Sequence, residues 1–139
     1  MNTSILLKFS AILWIVWGLV HVLFGVMVIL GDAGSGIQAI GNGVVLTPID
    51  YPEVVGAIMN QHGWNLVWFG VATTIAAVLV WRGNSTAIWV AAMIGGLADL
   101  GYFIFLDLGG YVKFVPGSVM TIIALLAIVL SFTAYLKNK

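Results

Sequence analysis

No cysteine occurs among the 139 residues, which removes disulfides, thiolate metal sites, iron–sulfur clusters and cysteine nucleophiles together. Charge is nearly as scarce. Five Lys plus Arg and five Asp plus Glu make up 7% of the chain and leave a net charge of zero. No cluster of positive side chains is present, so nucleic acid is excluded as a partner, since phosphate binding needs several positive charges on one face. No lysine falls deep within an apolar stretch, so a retinal-type Schiff base has no attachment point. The apolar run over residues 8–30 is longer than the roughly 7–15-residue core of a signal peptide and lacks a small-residue cleavage site. It is expected to be retained as a first membrane span.

What the chain does have is apolar surface. It is 62% hydrophobic with a mean hydropathy of +1.14, against roughly 45–50% apolar and 25% charged residues in soluble domains. This composition is that of an integral membrane protein. Four apolar segments, about 9–31, 57–81, 86–107 and 116–136, can each supply the ~20 residues of a bilayer crossing. The expected fold is therefore all-α: residues 1–139 form a single transmembrane domain, a four-helix bundle running up-down-up-down. Lys8, Arg82, Lys137 and Lys139 flank the termini and the second connection, and only Lys113 lies in the odd-numbered connections. By the positive-inside rule both termini are cytoplasmic, in the plasma (inner) membrane. Asp32, Asp50, Glu53 and Asp107 then fall on the outer side.

The long first connection, residues 32–53, carries Asn42-Gly43 between two short apolar arms. That pattern fits either a short β-hairpin or a Gly-rich loop, and in both cases a cap over the mouth of the bundle. Asp50-Tyr51-Pro52-Glu53 reads as a helix start with Asp50 at the N-cap. Counted from Tyr51, the second span would run ~46 Å, so it should project beyond the bilayer or bend near Gly63.

Each span has one small and polar face at helical spacing. In the first it is Trp14, Gly18, His21 and Gly25; in the second His62, Asn65, Phe69, Thr73 and Ala76. In the third it is Ala92, Gly95 or Gly96, Asp99 and Tyr102 or Phe103; in the fourth Gly117, Thr121, Ala124, Ala127 and Ser131. Asp99 stands out, because a charged acid near the bilayer centre costs ~2.5–3.5 kcal/mol even on lenient scales and normally marks an interior site. The plainer alternative is a structural acid bonded to a backbone carbonyl. Counted at 1.5 Å per residue from Lys8 and Thr86, His21 and Asp99 both stand ~20 Å above the inner surface, and counted from Trp81, Asn65 stands ~24 Å and His62 ~28 Å up. Such a polar ladder opens outward.

Asp99 and His21 are thus candidates for the floor of an outward-facing pocket, as an acid/base pair in the enzyme reading. His62, Asn65, Tyr102, Trp17 and Trp68 are candidate ligand-binding residues above or around them. Trp81, Trp89 and Tyr135 fit the aromatic belt, while Trp14 and Trp64 serve packing or line the pocket. The expected ligand is a lipophilic or amphipathic small molecule. No cofactor is expected. Bis-His haem is disfavoured by a depth difference of ~8–9 Å between His21 and His62, and a divalent metal on His21, His62 and Asp99 meets the same obstacle. A third class of reading is an accessory subunit or homo-oligomer that docks a partner helix on Gly117, Thr121, Ala124 and Ala127.

Overall fold

In a computed structural model, described for residues 2–137, the chain is helical with no strand among the described residues. Lys139, counted above among the inner-side charges, lies outside them. Four helices are long and apolar enough to cross a membrane: α1 (Thr3–Leu30), α3 (Glu53–Trp81), α4 (Ser85–Asp107) and α5 (Phe114–Lys137). A short helix, α2 (Ala33–Ile40), follows α1. Side-chain caps start three of the five. Asn2 accepts from the Ser4 N–H, Asp32 from Ser35 and Asn84 from Ala87, each satisfying one of the donors a helix N-terminus leaves free.

The first connection departs from the hairpin expectation, and it is a loop only over residues 41–52. Residues 38–40, the first arm of the expected hairpin, form the last turn of α2, because Asp32 nucleates a helix that the Asn42-Gly43 turn signal does not override. Asn42 instead pins the loop to the far connection: its Oδ1 accepts the Lys113 N–H at 2.5 Å, and the Gly43 N–H donates to the Tyr111 carbonyl at 2.9 Å. Asp50 does not cap α3 either. The helix opens at Glu53 behind Pro52, which offers no side-chain cap.

Gly63 is a contact point within an unbroken helical assignment. A Cβ on Gly63 would stand 2.8 Å from the Gly25 carbonyl oxygen, and one on Gly70 2.4 Å from that of Gly18. These four glycines, seven apart on each helix, bring the α1 and α3 backbones together along one seam, as small residues do between membrane helices. At one end of the molecule Leu6, Leu7, Val80, Ile88 and Ala134 form a cluster, with the Lys8 ammonium 5.6 Å from the Trp81 ring centre. A second cluster around Trp14, Trp17, Ala91, Ala124 and Ala127 fills the middle. Ala124 and Ala127 are therefore covered within the chain, 2% and 0% exposed, and Thr121 is bonded to Asp107. The small-residue face considered for a partner helix is already occupied by α1 and α4.

α4 is not regular. Five-residue π turns over Ala92–Gly96 and Phe103–Asp107 bracket the α-helical turns that carry Asp99 and Tyr102, an irregularity that often accompanies a functional position. In α5, Val115 is extended (φ −115°, ψ 125°), a conformation favoured before proline.

Candidate functional site

Asp99 is buried at 5% exposure, and its partner comes from α1. The Trp17 indole Nε1–H donates to Asp99 Oδ2 at 2.8 Å. Trp17 is itself held from both sides: its edge meets Trp14 with ring centres 5.9 Å apart, and its face stacks on His21 at 3.6 Å with 21° between planes. Gly95 makes this possible, since a Cβ there would lie 2.5 Å from the Trp14 ring. The space the glycine leaves near Asp99 is thus filled by tryptophan.

His21 sits one turn beyond Trp17, and its Nδ1 lies 2.8 Å from the Trp17 carbonyl oxygen. A carbonyl only accepts, so Nδ1 carries a proton, and in the neutral ring Nε2 then presents a lone pair. That Nε2 stands 4.0 Å from Asp99 Oδ1. The two atoms share one level but are not hydrogen-bonded to each other.

Both open onto a cavity of about 70 Å³ lined by α1, the end of α2 and the loop after it, α3, α4 and the start of α5. Its walls are mostly apolar, with Phe24, Leu66 and Met120 among them, and its other polar side chains are His62, Tyr102 and Asn42. The Tyr102 hydroxyl donates to the Ile40 carbonyl at 3.4 Å, tying α4 to the segment over the cavity. Of the residues singled out from the sequence, His21, His62, Asp99 and Tyr102 therefore meet at one space. Asn65 and Trp68 do not. They pair with each other on α3, Trp68 Nε1–H donating to Asn65 Oδ1 at 3.2 Å, and Trp68 is 41% exposed. Trp17 lies behind Asp99 as its hydrogen-bond donor and does not line the space.

No protein family, curated protein or solved structure matches this chain. Its chemistry has to be argued from the site alone.

Among the described residues no three His, Asp or Glu side chains converge as a metal-ligand set, so His21, His62 and Asp99 share a cavity without forming a coordination shell. Sequence reasoning missed a second carboxylate with built partners. Asp107, at the end of α4, accepts from Ser118 Oγ at 2.5 Å and Thr121 Oγ1 at 3.0 Å. The signal available was the Ser118–Thr121 spacing of three, which puts both hydroxyls on one helical face.

Proposed function

We propose that this chain is a small integral membrane protein of the plasma (inner) membrane, an up-down-up-down four-helix bundle with cytoplasmic termini. It binds one end of a lipophilic or amphipathic small molecule in an outward-facing intramembrane pocket, with Asp99 and His21 at the polar floor and His62 and Tyr102 on the walls. The observation that carries this reading is the combination of an apolar-walled cavity with two hydrogen-bonding atoms, His21 Nε2 and Asp99 Oδ1, that have no partner in each other. A volume of about 70 Å³ is below the ~300–1,000 Å³ of pockets for drug-sized ligands. Only a small molecule, or the end of a longer one, fits.

A membrane enzyme using the same pair is the second reading, favoured by the 4.0 Å gap. One bridging atom of a substrate would touch both imidazole and carboxyl, the geometry for moving a proton on it. Asn65 and Trp68, paired with each other, are not assigned a role in either reading.

The test is recovery of the occupant. The protein is extracted directly into native lipid particles, and molecules released from it are identified by mass spectrometry beside Asp99→Asn and an unrelated membrane protein. A molecule enriched with the native protein and depleted at least about tenfold in Asp99→Asn, a loss of ~1.4 kcal/mol, supports the binding reading. Equal recovery from all three would overturn it. If the recovered molecule is converted by the native protein, and His21→Phe binds it without converting it, the enzyme reading holds.

A further inference from the structure

We infer that the floor of the cavity is a receptor for a primary ammonium group carried on an apolar tail. This rests on the small-molecule reading of the cavity above and adds the chemical class of the ligand's head.

Four observations define what the floor can accept. First, each residue has already committed one of its two polar atoms: Asp99 Oδ2 takes the Trp17 indole N–H, and His21 Nδ1–H is used by the Trp17 carbonyl. With Asp99 ionised and His21 neutral, what remains is one carboxylate oxygen and one imidazole lone pair, both acceptors. Second, these two atoms stand 4.0 Å apart. Were His21 an imidazolium paired with Asp99, its Nε2–H would close on the carboxylate to ~2.7–2.9 Å. The open gap instead fits one donor atom placed between them. A nitrogen ~2.8 Å from each would see the two acceptors about 90° apart, within reach of two N–H bonds of a tetrahedral ammonium. Third, no Lys or Arg lines the cavity, so a carboxylate there holds no permanent cation beside it, and an ammonium brought by the ligand competes only with a proton for it. Fourth, Val20, Phe24, Leu66 and Met120 supply apolar wall beside the polar His62, Tyr102 and Asn42, surface that suits a hydrocarbon tail.

A hydroxyl has one hydrogen and satisfies one acceptor. A quaternary ammonium carries charge but no hydrogen, and a carboxylate is repelled. The floor therefore ranks heads in the order primary ammonium, then alcohol and quaternary ammonium, then carboxylate. The Trp17 donor fixes Asp99 in this orientation and is a positioning residue.

The experiment uses the full chain in nanodiscs of uncharged lipid, titrated calorimetrically with hexylamine, hexanol, hexyltrimethylammonium and hexanoate, with empty nanodiscs subtracted. Hexylamine is expected to bind about tenfold or more tighter than the other three, the ~1.4 kcal/mol advantage of charge-assisted over neutral hydrogen bonds. Asp99→Asn is expected to bring hexylamine down to the level of hexanol. Equal binding of hexylamine and hexanol overturns the ammonium assignment and leaves the amphiphile pocket standing. Equal binding of hexylamine and hexyltrimethylammonium overturns the two-bond bridge, because charge alone would then suffice. Binding of none of the four removes both the assignment and the pocket it rests on. The head-group series on the native protein decides the matter even where Asp99→Asn folds poorly.

Discussion

At the scale of single residues, the energetic question is what holds a carboxyl group inside an apolar bundle. The answer is one indole N–H: Trp17 donates to Asp99 at 2.8 Å, whereas His21 approaches no nearer than 4.0 Å. A buried donor left without its acceptor costs about 1–3 kcal/mol. Asp99→Leu should therefore strand the Trp17 indole and lose stability, while Asp99→Asn, which keeps an acceptor oxygen, should be close to neutral. In a double-mutant cycle read by thermal unfolding, Trp17→Phe and Asp99→Leu should couple by about 1–3 kcal/mol, and His21→Phe with Asp99→Leu by clearly less. A larger coupling for the histidine would mean that the His21–Asp99 gap is closed in the membrane and the floor is an ion pair. Asp32 offers a separate residue-scale test, outside the spans. The Ser35 N–H donating to its carboxylate at 2.7 Å holds Asp32 below the usual carboxylate range. A depressed folded value means that the cap's contribution is complete above the unfolded value of ~3.9 and is lost as pH falls through the folded one. Hydrogen exchange at the Ser35 amide should accelerate only below about pH 3.9, after correction for intrinsic rates; acceleration already at pH 5 would show that the cap is not in place.

At the scale of elements, the seam between α1 and α3 dictates the sharpest expectation. Gly70→Ala would drive a Cβ to 2.4 Å from the Gly18 carbonyl, backbone against backbone, with no flexible side chain to yield. Overpacking of this kind costs about 1–3 kcal/mol. Gly56, on the same helix, has nothing within 4 Å of its would-be Cβ, so Gly56→Ala should be neutral or gain up to ~1 kcal/mol from helix propensity. Comparable melting shifts for the two variants would remove the seam. The same seam shows what could be read from sequence. The spans were legible because each needs only length and apolarity. The seven-residue spacing of Gly18 with Gly25 and of Gly63 with Gly70 was also in plain view, but periodicity names a face without naming its partner. α2 was hidden because its sequence, AGSGIQAI, holds two glycines and is shorter than any window in which helical period is measurable. Asn65 shares helical spacing with His62, yet its side chain pairs with Trp68 on α3, a choice of partner that spacing does not reveal.

At the scale of the whole molecule, one end gathers Lys8, Arg82 and Lys137, with Lys8 resting on Trp81, and the other holds the cavity beneath the segment after α2. Positive charge resists translocation, so the charged end should be cytoplasmic and the cavity should open to the outer side. A reporter that is active only outside the cytoplasm should be silent when fused to the C-terminus or inserted at Asn84, and active when inserted after the exposed Thr47. The charges involved are few, so the bias should be correspondingly fragile. Reversing Lys8 and Arg82 to Glu together should move a measurable fraction of molecules to the opposite orientation, whereas reversing Lys113, on the cavity side, should leave the native orientation intact. An external C-terminus in the native protein would sink this assignment, and with it the side from which a ligand arrives. Asp99, His21 and the 4.0 Å gap between them would be unchanged, but the amphiphile would then enter from the inner leaflet, against the cytoplasm instead of the outer face.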